Sequence, residues 1–132
     1  MKTLKYLGHW TLPALSIIYL ASIIFAAGID GKWRGESICT IKDSPCHDEH
    51  VLYHVSKPDG EGNMKMQMDK FVGGKAELMG TLNCVFDSSA MTITCPMQDK
   101  EWKFKIAGTK MDGTLTLGDG RLYRRISVTK DQ

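Results

Sequence analysis

Met64-Lys65-Met66-Gln67-Met68-Asp69 alternates apolar and polar side chains without a break, and the pattern returns along the chain. Trp102, Phe104 and Ile106 alternate with Lys103 and Lys105. Leu82, Cys84 and Phe86 alternate with Thr81, Asn83 and Val85, and Met91, Ile93 and Cys95 with Thr92 and Thr94. Successive side chains on a β-strand point to opposite faces, so each run predicts a strand with one buried and one wet face. Turn signals separate the runs: Pro58-Asp59-Gly60, Gly73-Gly74, Asp87-Ser88-Ser89, Gly108-Thr109 and Gly118-Asp119-Gly120. The reading gives about eight strands, near residues 31–41, 49–57, 63–71, 75–86, 91–97, 101–107, 110–117 and 121–129.

No stretch beyond residue 28 has a helical period. The apolar faces must then be covered by a second sheet or by closure of the first on itself. Consecutive hairpins favour a meander, and eight such strands close into a barrel that has no free edges. The expected fold is all-β: a single antiparallel up-and-down eight-stranded barrel over residues 29–132. A β-sandwich is the alternative.

Residues 1–11 carry Lys2, Lys5 and His9 without an acid, residues 12–27 are nearly all apolar, and Ala26-Ala27-Gly28 follows. Charged, apolar, small is the order of a secretory signal peptide. Cleavage after Gly28 puts small residues at both positions that require them. The competing reading is an uncleaved membrane anchor, since Trp10 to Gly28 is about long enough to cross a bilayer. The expectation is residues 1–28 as signal peptide and a secreted or periplasmic domain, with a membrane partner only if the leader is kept.

All four cysteines (Cys39, Cys46, Cys84, Cys95) lie after the leader, and an even count in a small exported chain reads as two disulfides. No pair has the short spacing of zinc hooks. Of the three pairings, Cys39–Cys46 and Cys84–Cys95 are favoured because each is local and the second crosses an expected hairpin. Loops this short contribute at most about 3 kcal/mol each.

The whole chain has 17 Lys+Arg and 15 Asp+Glu, and the leader takes two of the bases. The remainder is therefore neutral, which argues against a nucleic-acid partner, because that needs a basic face to replace phosphate counterions.

The opening Gly31-Lys32-Trp33-Arg34-Gly35 resembles the Gly-x-Trp start of lipocalin-like barrels. The resemblance implies a basic plug: in that family an arginine on the last strand packs across the tryptophan and closes one end. Leu122, Arg124, Ile126 and Val128 form the apolar face of the last strand, so Arg124 occupies the matching inward position. The chain departs from the family in being much shorter, with no room for a C-terminal helix.

Three features are candidate sites. His47, His50 and His54 cluster after Cys46 with Asp48 and Glu49. On a strand, residues four apart are separated by roughly 13 Å, so His50 and His54 cannot share an ion. His47 and His50 with Asp48 remain as weak metal candidates, against solvated residues on a wet face. Arg124 is either the plug over Trp33 or a counter-ion for a ligand carboxylate. The inner wall is expected from Trp33, Tyr53, Met64, Met66, Met68, Leu82, Phe86, Met91, Ile93, Trp102, Phe104, Met111, Leu115 and Leu117. Its methionines adapt to irregular apolar shapes, although eight strands leave room for little more than their own side chains.

No Gly-x-Ser-x-Gly elbow, phosphate-binding glycine loop or His-Glu-x-x-His occurs, and no thiol remains, so neither catalysis nor a cofactor is expected. Two functions fit. One is non-enzymatic binding of a small apolar or amphipathic molecule, with Trp33, Tyr53, Met66, Met91, Trp102 and Arg124 as contacts. The other is a protein-binding module, such as an inhibitor of an extracellular hydrolase, acting through the Cys39–Cys46 loop over a solid core.

Overall fold

The computed structural model describes residues 28–132 together with Gly8. The leader expected over residues 1–28 therefore lies, apart from Gly8 and Gly28, outside the described residues. Eight strands follow: β1 (Gly31–Cys39), β2 (Glu49–Val55), β3 (Asn63–Val72), β4 (Lys75–Asp87), β5 (Thr92–Pro96), β6 (Lys100–Ala107), β7 (Lys110–Leu117) and β8 (Leu122–Lys130). Each pairs antiparallel with the next, and β8 returns to β1, so the sheet is a closed barrel. A sandwich is excluded because β1 is hydrogen-bonded on both edges, to β2 and to β8.

The alternation does what the sequence requires of it. Trp33, Val51, Tyr53, Met64, Met66, Met68, Ile93, Phe104, Met111, Ile126 and Val128 fill the interior, while their sequence neighbours face outward, where Leu52 and Asp69 are nonetheless buried. Two expectations fail. Met91 is exposed, because the chain turns there: Asp87 Oδ1 accepts the backbone N–H groups of Ser89 and Ala90, and Met91 sits at φ 55 before β5 begins. Leu117 lies past a register shift between Leu115 and Thr116 and is only half-buried.

The two ends of the barrel differ. At one pole Ile29 and Trp33 are 6% and 1% exposed, and the Trp33 indole N–H donates to the Ile29 carbonyl at 2.9 Å. Lys130 completes this closed pole: its ammonium lies 5.9 Å from the Trp33 ring centroid and donates to the Gly28 carbonyl. The opposite pole is framed by the loop after β1, the β3–β4 hairpin, the β5–β6 turn and the start of β8.

The disulfides are Cys39–Cys46 and Cys84–Cys95. Cys84 and Cys95 continue the β4–β5 register directly across from each other, with Cα atoms 4.2 Å apart, and point into the core. β5 pairs with β4 over only three residues, so this bond secures the shortest seam of the barrel. Both disulfides indicate an oxidising environment.

Closure needs a close approach of β1 and β8. At Gly35 a Cβ would overlap the Ser127 carbonyl oxygen and press on the Val128 Cα. The obstruction is backbone, which cannot swing aside. Gly35→Ala should therefore cost about 1–3 kcal/mol, an overpacking penalty, read from the urea midpoint. Gly60→Ala, with nothing within 4 Å of the new methyl, should stay within about 0.5 kcal/mol of the parent.

Candidate functional site

The open pole encloses a cavity of about 280 Å³. Its wall is apolar: Met68 from β3, Leu82 from β4, Trp102 from β6 and Leu115 from β7. Met79 and Gly80 join it because β4 carries one extra residue against β3 at the step between Met68 and Asp69. A bulge of this kind bends a strand and re-aims its side chains. Met97 and Lys100 stand at the rim on the β5–β6 turn.

The floor is polar. Arg124 reaches inward with 12% of its side chain exposed, and Glu49 lies 3.7 Å from it at 21%. The Arg124 Nη1 donates to the Ser37 hydroxyl at 3.2 Å and to the His47 carbonyl at 3.1 Å. These contacts hold the guanidinium in one place, since a buried charge persists only where partners offset its desolvation. Tyr53 lies fully buried below, and its hydroxyl has no hydrogen-bond partner among the described residues. Burial is the main cause that drives the Tyr53 pKa upward, with the Glu49 carboxylate adding to it, while Arg124 and Ser37 pull the other way. The phenol thus stays protonated, sealed beneath the cavity floor.

Among the residues expected to contact a ligand, the structure gathers Tyr53, Trp102 and Arg124 in this mouth. Trp33 and Met66 belong instead to the packed core, at 1% and 0% exposure, and Met91 is outside the barrel. The plug assigned to Arg124 is corrected. Arg124 pairs with Cys39, whereas Lys130 pairs with Trp33. Those positions are six residues apart on β1, or roughly 20 Å at strand rise. A lysine closes the tryptophan end, and Arg124 is freed for the mouth.

The histidines do not assemble. His50 faces Glu36 at 3.8 Å on the outer surface, and His54 Nε2 lies 3.0 Å from Asp69 Oδ2 on the outside of β2–β3. Asp48 accepts the Cys39 N–H at 2.8 Å. Among the described residues no group of three His, Cys, Asp or Glu is placed to hold a metal ion.

A larger depression of about 740 Å³ lies on the outer surface of β5–β8 and β1, lined by Thr92, Thr94, Lys103, Lys105, Asp112 and Arg125 among others. It is an open saddle over Gly113, and none of these six side chains is buried. The mouth is smaller, but of the two it is the one that combines an apolar wall with buried polar groups.

Ser37, Met79, Met97 and Lys100 were not singled out from the sequence, and Glu49 only as a member of the polar cluster after Cys46. Ser37 carries a readable signal, as a polar residue in phase with Trp33 on β1; the places of Glu49, Met79, Met97 and Lys100 depend on loop placement, the bulge and the level of each strand.

What the fold and the mouth define is a disulfide-stapled closed barrel, sealed at one pole and open at the other. The chain matches no protein-family model and no curated protein.

Tyr53 generates a prediction with a definite sign. Its folded pKa lies above the ordinary 10.0, so its favourable contribution is complete below that pH and is lost as pH rises through and beyond it. Tyr53→Phe should flatten the fall in stability between about pH 10 and 11.5, followed by urea midpoints. At pH 7, removing an unpartnered buried hydroxyl should be neutral or stabilise by about 1 kcal/mol.

Proposed function

We propose that this protein is an exported, non-enzymatic binding barrel that takes a small amphipathic molecule into its open pole, in the manner of lipocalin-like barrels. The observation that carries the reading is the cavity itself. Met68, Leu82, Trp102 and Leu115 offer an apolar wall above Tyr53, Arg124 and Glu49. Small-molecule sites combine a mainly apolar lining with a few fixed polar groups, and the 280 Å³ here lies just below their usual range of about 300–1,000 Å³. Residues 1–28 would serve as the signal peptide that delivers the chain to the oxidising compartment its disulfides imply. The Gly31-Lys32-Trp33 start, the sealed pole and the basic residue beside Trp33 support the family likeness, with Lys130 in the role that the resemblance gives to arginine.

Gly80 provides the test. It lines the mouth and nothing lies within 4 Å of its missing Cβ, so Gly80→Trp should fill the cavity without disturbing the fold. Uptake of anilinonaphthalene sulfonate, and its displacement by decanoate, should weaken at least tenfold in Gly80→Trp at an unchanged melting temperature. Unaltered uptake would sink the mouth as the binding site.

A second reading rests on the Cys39–Cys46 loop, which stands at the same pole. The disulfide, the Thr40 hydroxyl on the Leu122 carbonyl at 2.6 Å and the Ser44 hydroxyl on the Ile41 carbonyl at 3.3 Å hold it in one shape. Exposed Lys42 and Asp43 are thus presented with little ordering entropy left to lose, as suits a hydrolase inhibitor. Under this reading the protein slows casein hydrolysis by an extracellular protease, and Lys42→Ala with Asp43→Gly relieves that inhibition without shifting the urea midpoint.

A further inference from the structure

Nothing in amphiphile binding requires sulfur, yet three thioethers from separate elements line this one cavity. Met68 comes from β3, Met79 from the β4 bulge and Met97 from the β5–β6 turn, with the Trp102 ring in the same lining. Met79 and Met97 are each 41% exposed, so burial alone gives little reason for apolar side chains there. The other described methionines are elsewhere: Met64, Met66 and Met111 are sealed in the core, and Met91 is at the opposite pole.

A thioether is neutral at every pH and soft, and soft sulfur ligands select Cu(I) over the harder divalent ions. All four cysteines are oxidised, so thioethers are the soft donors that the barrel retains. The absence of a His, Cys, Asp or Glu trio among the described residues leaves harder ions without a cage. The charge balance opposes cations in general and divalent ones most. Arg124 and Lys100 share the lining with a single carboxylate, Glu49, and a divalent ion would meet twice the repulsion of a monovalent one. Trp102 offers an aromatic face, which attracts cations when desolvated. Methionine's three rotatable bonds let exposed side chains close over an ion that rigid residues could not follow.

From this convergence we propose that Met68, Met79 and Met97 form a site for a soft monovalent cation, Cu(I) or its air-stable analogue Ag(I), beside Trp102. The proposal shares the open mouth with amphiphile binding but does not depend on it.

Silver nitrate in chloride-free buffer is the probe. The barrel should take up one Ag(I) in native mass spectra, with quenching that disappears in Trp102→Phe and no competition from Zn(II) or Mg(II). In the unsubstituted protein, the methyl resonances of Met68, Met79 and Met97 should shift while those of Met64 and Met111 stay put. The double variant Met79→Leu/Met97→Leu keeps the apolar volume, so it should keep its melting temperature while binding Ag(I) at least 100-fold more weakly. No uptake of Ag(I), equal affinity in the double variant, or shifts confined to other methionines would each overturn the proposal. Unaltered dye uptake in Gly80→Trp would sink the amphiphile reading, whereas the cation site stands or falls on the silver measurements in the unsubstituted protein and the methionine double variant.

Discussion

Pairing of β1 on both edges, with β2 on one side and β8 on the other, turns a meander into a closed barrel. It removes the two free edges that an open eight-stranded sheet would expose. It also forces the first and last strands into close contact, which Gly35 allows because a side chain there would run into the backbone of β8. The register that results sets Trp33 against Lys130 and Cys39 against Arg124. From that one register follow the sealed pole, the polar floor of the mouth and the distance between them.

The core is therefore divided by level rather than uniform. Below, Ile29, Trp33, Val55, Met64, Met66, Ile106, Met111 and Val128 leave no space for a guest. Above, the wall opens because β5 is short and β4 runs past it towards the β3–β4 turn. The cavity is thus the part of the interior that the shortest strand cannot cover, and the Cys84–Cys95 bond holds that seam where pairing alone is thin. Arg124 is tolerated at such depth because Ser37, Glu49 and the His47 carbonyl all serve it.

The period of two was legible from the residues and sufficed for the fold: all eight strands lie within two residues of the ranges read from alternation and turn signals. The disulfide pairing was legible too, since each pair is local. Period two gives the face of a side chain but not its level along the barrel axis. Arg124 was accordingly placed inward correctly and at the wrong end, because level depends on long-range register between the first and last strands. Met91 kept the right phase and still left the wall, because the turn stabilised by Asp87 still includes it and β5 begins only one residue later. Met79 was invisible for a third reason, a bulge that no alternation announces.

Lys130 ends the last strand beside Trp33, and Asp131 folds back to pair with Arg34 at 3.2 Å, while Gly28 and Ile29 enter at the same pole. Chain entry and exit therefore share the side of the molecule away from the cavity. A tether attached at either end, whether a retained leader, a surface linker or a fused neighbour, would point the opening outward into the surrounding fluid. Two such barrels joined in tandem would stand back to back, each with its entrance clear of the other.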